Sequence, residues 1–251
     1  MLDDRPAQPC TSERVARMNR EGADLSGTPG DIDVAHRTTM VLAGGGLLAI
    51  ALALGFVLTA VGAARTGELA LDESISRHRD AALSAVARGI DVGFGTTVAP
   101  VLLLVACGIL WTRHRFAAVA LGALTTVGWL SVELGKALVR RPRPPAATVH
   151  ALVSETAADS YPSGHTAFVA AVLFASVAAL ALAGRRTVAA WLLGVPVVVV
   201  VGLSRLYLGV HYLGDVIASV GFAAASILVA TVVARPALMR LRDDTTRAVA
   251  G

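Results

Sequence analysis

Charge is scarce in this chain. Asp, Glu, Lys and Arg fill only 16% of its 251 positions while hydrophobic residues fill 55%, against about a quarter charged in soluble domains, so lipid is the solvent over most of its length. Cysteine is almost missing. Cys10 lies in a polar N-terminal stretch and Cys107 in the middle of an apolar run, which excludes a disulfide framework and gives no redox or cysteine–metal motif. The net charge of +4 is carried by basic residues that punctuate apolar segments, which excludes a nucleic-acid-binding surface. Lysine occurs once, at Lys136, among 22 basic residues. A chain that uses arginine everywhere else keeps one compact, flexible point charge there.

What fills the sequence instead is long uncharged runs: Thr38 to Ala64, Val92 to Thr112, Phe116 to Val132, Thr166 to Gly184, Thr187 to Ser204 and Val216 to Ala234. Each approaches the roughly 20 residues that a helix needs to cross the hydrocarbon core. They predict an all-α polytopic membrane bundle with six transmembrane helices, one domain over 38–236. Pro100 and Pro196 fall inside runs, where neighbouring helices can satisfy the freed carbonyls.

Residues 1–37 carry Pro6, Pro9, Gly22, Pro29 and Gly30 without apolar periodicity and predict a disordered cytoplasmic tail; 237–251 predict a short second one. The polar stretch is too long for the charged region of a signal peptide, and the run after it can span a bilayer. Between the first two runs, Arg65 to Asp91 mixes charges with Leu71, Ile75, Ala82, Val86 and Ile90 at steps of three to four. It reads equally as an interfacial amphipathic helix or as a loop folded over the bundle.

Because spans alternate in direction, the end of the third, the start of the fourth, the end of the fifth and the start of the sixth share one face. The segments there, Lys136 to Pro144, Pro162 to His165 and Ser204 to Asp215, hold most of the unusual polar residues. The opposite face carries thirteen of the basic residues against nine, which makes that face cytoplasmic and puts both termini there. The polar segments then lie extracytoplasmically.

Taken singly, each segment has an ordinary reading. Lys136, Arg140, Arg141 and Arg143 stand where span-end cations snorkel to headgroups. Ser163 is placed as a helix cap, although Ser163 and Gly164 at a helix N-terminus also suit an anion. His211 and Asp215 are four apart, the spacing that puts them on one face of the sixth helix with carboxylate against imidazole.

Together, KALVRRPRP, PSGH and SRLYLGVHYLGD resemble the three-part signature of the type 2 phosphatidic acid phosphatase and vanadium-dependent haloperoxidase superfamily, in its membrane lipid phosphatase branch. The resemblance covers about residues 90–234. It implies a phosphate clamp of Lys136, Arg143 and Arg205 with further hydrogen bonds from Ser163 and Gly164, a general acid at His165, and a nucleophile at His211 that forms phosphohistidine and is oriented by Asp215. It further implies a lipid phosphate substrate, an integral location in a bacterial cell membrane, and no metal or other cofactor.

The residue chemistry agrees. Phosphoryl transfer spreads charge over three equatorial oxygens and is catalysed by cations and positioning, while one histidine serves both half-reactions as acid and then base. Glu133, Glu155 and Asp159 are scattered in sequence, so no carboxylate set for magnesium or calcium is expected; Glu133 is spaced to pair with Lys136, and Glu155 and Asp159 to solvate a loop. Rival readings are a vanadate-dependent oxidoreductase on the same scaffold and a non-catalytic scaffold or transporter. Phosphatidic acid, phosphatidylglycerol phosphate and polyprenyl pyrophosphate all fit as substrates.

Overall fold

The computed structural model describes residues 29–250. Among the described residues the secondary structure is helical, with a single antiparallel bridge between Pro142 and Asp159. The helices are α1 (Pro29–Val61), α2 (Ala63–Thr66), α3 (Glu68–Arg77), α4 (Ala81–Gly93), α5 (Val98–Trp111), α6 (Arg115–Val139), α7 (Ala146–Val149), α8 (Gly164–Leu182), α9 (Val188–Tyr207) and α10 (Leu213–Ala250). The turns of α1 up to Thr39 belong to a separate compact unit. Five of these helices are long and apolar enough to cross a membrane, and six passages result when α4 and α5, bent by 62° at their junction, are taken as one.

Two element boundaries differ from the sequence reading. The stretch 1–37 is helical from Pro29, because proline is well tolerated in the first turn of a helix; residues 1–28 lie outside the described residues. At the other end α10 runs through Pro236 to Ala250, so 237–250 continue the sixth helix. The second passage also differs from a single helix over Val92 to Thr112. Gly93-Phe-Gly95-Thr-Thr breaks it, leaving α5 with 14 residues, and the preceding Arg65 to Asp91 region forms three helices.

α6, α8 and α10 pack on one another, with α5 against α6 and α9 against α8. Lipid offers no hydrophobic drive for helices to associate, so close packing of small residues holds such a bundle. Leu124, Ala170, Ala171, Ala175, Ala223 and Ile227 form the buried contact. Gly128 permits it: a Cβ there would meet Ile227 at 2.7 Å and Ala171 at 3.0 Å.

α6 ends as Arg140 takes a left-handed conformation (φ 50°) and Arg141 precedes Pro142, a position that disfavours helix. The chain then folds back, Ser160 N–H donating to the Arg141 carbonyl and Leu152 N–H to that of Leu208. α9 closes in a Schellman motif, with Gly209 N–H donating to Leu206 O and Val210 N–H to Arg205 O, and Gly209 at φ 76°. This turn brings His211 back beside the end of its own helix.

Gly209→Ala combines the positive φ with a Cβ only 2.9 Å from Val149 Cγ2 and 3.0 Å from Arg79 Nη2. It is expected to destabilise by about 1–3 kcal/mol and to lower turnover with it, as read by thermal unfolding and phosphate release on the same preparation.

Candidate active site

The ends of α4, α6 and α9, the starts of α8 and α10, and the 140–163 loop meet in one continuous chain of polar contacts. It begins at His165 in the first turn of α8. Its Nε2 stands 3.1 Å from the Asp91 carbonyl oxygen and 3.3 Å from the Asp91 carboxylate. Asp91 accepts from Arg205 Nη1 at 2.5 Å, and Arg205 Nη2 donates to Glu155. Arg205 is fully buried, so each of its terminal nitrogens is matched by a carboxylate.

Glu155 continues to Arg143, whose Nη2 is 3.8 Å from Oε2. Arg143 is fixed from its loop by donating through Nε to Ala157 O at 2.7 Å and through Nη1 to Val210 O at 2.8 Å. The same Nη1 lies 3.2 Å from His211 Nε2. A guanidinium only donates, so this contact assigns the lone pair to Nε2 and the proton to Nδ1. Nδ1 faces Asp215 Oδ2 at 3.6 Å, beyond hydrogen-bond range but within reach of a small ring rotation.

The pairing of His211 and Asp215 does not come from two positions on one helix, as the sequence spacing suggests. α10 begins at Leu213, and His211 precedes it. Asp215 instead reaches back to Tyr212 N–H at 2.9 Å while its own N–H donates to the Tyr212 carbonyl at 3.1 Å. This reciprocal capping at the helix start leaves the carboxylate facing the imidazole. Complete burial pushes the His211 imidazole down to about 4, Asp215 opposing the shift and the Arg143 and Arg205 charges adding to it. Burial raises the Glu155 carboxyl, but Arg205 and Arg143 outweigh it and hold the group below its ordinary range.

The remaining expected residues are placed differently. Lys136 Nζ bonds Glu133 at 3.1 Å, the pairing their spacing allows. Ser163 is buried, with its N–H toward the Asp215 carbonyl at 3.4 Å and its Oγ accepting from Thr166. Space beside Gly164 is open, with nothing within 4 Å of where a Cβ would stand.

Four residues in this constellation, Arg141, its partner Glu68, Glu155 and Asp91, escape the sequence reading. Arg141 does not snorkel: it is 2% exposed and donates to Asp215 Oδ1 at 2.7 Å and Glu68 Oε2 at 2.5 Å. Glu155 does not solvate a loop, because it sits between two arginines. Asp91, in the last turn of α4, is turned into the site. Asp91, Glu155 and His165 also form the one group of three ligand-type side chains, among the described residues, compact enough to hold a metal ion, contrary to the expected scatter of carboxylates. Arg205 already engages one oxygen of each carboxylate, so a cation would share both acids with a guanidinium.

Comparison with known families matches residues 115–238 to the PAP2 superfamily. Through this stretch the protein belongs to that superfamily. The match contains all eight residues of the expected site and also Arg141 and Glu155, while Glu68 and Asp91 lie before it. Among solved structures the PAP2 chain is similar to that of a transmembrane PAP2 type phosphatidylglycerolphosphate phosphatase from Bacillus subtilis, at 23% identity and a TM-score of 0.62, over 77% of this chain and 95% of that one. That likeness establishes a shared fold. Comparison with the curated proteins finds no match.

Proposed function

We propose that this PAP2 protein is a lipid phosphate phosphatase working through phosphohistidine at His211. The observation that carries the reading is the setting of the His211 ring: Nε2 stands 3.2 Å from Arg143, a pure donor that calls for a lone pair there, and Nδ1 is toward the buried Asp215. A neutral imidazole aimed at a cationic clamp is an activated nucleophile. Its lone pair attacks phosphorus, the P–O bond to the lipid breaks, and the departing oxygen takes a proton from His165, whose Nε2 faces Asp91. Water then gives a proton to His165 and attacks phosphorus, the P–N bond breaks, and phosphate leaves with both histidines restored.

An apolar cavity of about 530 Å³ supports a lipid as the carrier of that phosphate. Its lining includes Phe94, three residues after Asp91, and Phe168, one turn after His165, together with Leu103, Val172, Leu193 and Val197. Phosphatidic acid, phosphatidylglycerol phosphate and polyprenyl pyrophosphate share the required chemistry, and the solved neighbour is described as acting on the second of these. With thirteen of the basic residues on the other face against nine, the positive-inside rule puts the site on the extracytoplasmic side and the termini in the cytoplasm. A polyprenyl pyrophosphate released on that side fits best.

The test is phosphate release by the purified full-length protein from these three lipids, with and without excess chelator. Release from at least one lipid, unchanged by chelator, is expected; release from none refutes the proposal, and loss on chelation assigns a metal to Asp91, Glu155 and His165. With His211 titrating at about 4, its acidic limb in kcat/KM is expected near that pH, clear of the phosphate monoester ionisation near 6. Protonation below the limb occupies Nε2 and removes the nucleophile. Absence of any acidic limb down to about pH 3 in the substrate-corrected profile contradicts this assignment.

A further inference from the structure

The reaction above gives no task to Arg141, yet this side chain is one of the most deeply enclosed in the protein. It bridges two acids. Nη1 donates to Asp215 Oδ1 at 2.7 Å, Nη2 to Glu68 Oε2 at 2.5 Å, and the guanidinium lies 4.4 Å over the Tyr212 ring. Glu68 in turn accepts from Gly214 N–H at 2.7 Å through Oε1 and from Thr66 Oγ1 at 2.9 Å through Oε2. One carboxylate therefore grips both the arginine and the first turn of the helix that carries Asp215.

Space is closed around this unit. A Cβ on Gly214 would run into Leu58 and come within 2.8 Å of Glu68 Oε1. Asp72, one turn along α3 from Glu68, is wholly buried but has no hydrogen-bond partner on either carboxylate oxygen, so among the α3 acids it is Glu68 that holds Arg141. A buried acid–arginine–acid triad is a poor source of stability, since desolvation offsets the Coulomb gain and apolar residues do as well or better. Its geometric product is specific, however. Asp215 is fully buried, with Oδ1 taken by Arg141 and Oδ2 left for Tyr212 N–H and His211.

We propose that Arg141 and Glu68 are positioning residues for the nucleophile, holding Asp215 ionised and turned so that Oδ2 faces His211. This rests on the assignment of His211 and Asp215 to the reaction. Neither positioning residue touches the substrate, and both act through Asp215.

A double-mutant cycle on the full-length protein tests this with a phosphate-release assay: wild type, Arg141→Gln, Asp215→Asn and the combined variant, with Arg141→Lys and Glu68→Gln alongside. Arg141→Gln is expected to lower kcat about 10–100-fold with KM within about twofold, Glu68→Gln to do the same more weakly, and Arg141→Lys to restore part of the loss. The decisive result is that the combined variant is no slower than Asp215→Asn alone, because the arginine then has no carboxylate to aim. Multiplying losses, or a rise in KM at unchanged kcat, overturn the inference while leaving the phosphatase assignment intact. If Asp215→Asn is as active as wild type, the proposed mechanism itself fails. Should Arg141→Gln not fold, the same cycle run with Arg141→Lys decides by the same criterion.

Discussion

His211→Ala is expected to reduce phosphate release at least about a thousandfold while the protein stays folded. A covalent mechanism loses its first step with its nucleophile, and the residual rate that clamp and acid supply does not replace it. The neighbours tolerate the truncation: Arg143 keeps its bonds to Ala157 O and Val210 O, and Asp215 keeps those to Arg141 and Tyr212 N–H. Thermal unfolding close to that of wild type should therefore accompany the loss. Brief mixing with labelled lipid phosphate followed by alkaline denaturation should trap an acid-labile phosphoprotein in wild type and none in the variant. Normal turnover by folded His211→Ala would end the phosphohistidine assignment.

Arg205→Ala should be the most damaging change at the clamp, because Arg205 joins the acid side of the site to the nucleophile side. Its removal leaves Asp91 and Glu155, each about a fifth exposed, without their shared cation. Activity is expected to fall about 10³-fold or more, the scale on which a transition-state arginine acts. Stability should fall by an amount between the ~1 kcal/mol of an exposed pair and the ~3–5 of a buried one. Arg205→Lys should recover little, since a single ammonium cannot present two nitrogens to two carboxylates. Full recovery by lysine, measured as kcat/KM, would show that Arg205 contributes charge without geometry.

The helices and the meeting of three motif segments at one end follow from periodicity and parity alone, since apolar runs of spanning length must alternate in direction. Asp91 was open to the same reasoning: it stands at the start of the second run, which parity places on the site face. The Gly-rich break after it, which bends the passage by 62°, was the overlooked signal. Arg141 offered none. It differs from Arg140 only by standing next to Pro142, and that single step turns one side chain inward to Asp215 and leaves the other exposed. Glu155 was equally opaque, because a loop acid becomes a site residue only through tertiary fold-back, here fixed by Leu152 on Leu208 and Ser160 on Arg141. The spacing of His211 and Asp215 is legible in the sequence but their local structure is not, since the turn at Gly209 and the reach of Asp215 to Tyr212 replace a helical i,i+4 pair.

The break that sets Asp91 in place also leaves α5 with 14 residues, a rise of about 21 Å where the hydrocarbon core is about 30 Å thick. The second passage therefore reaches full thickness only when α4, the helix that carries Asp91, is counted with it. The acid that faces both His165 and Arg205 is thus built into the spanning segment itself, at the bend where the passage turns. Any change in the tilt of α4 against α5 would move Asp91 relative to His165 and Arg205 together.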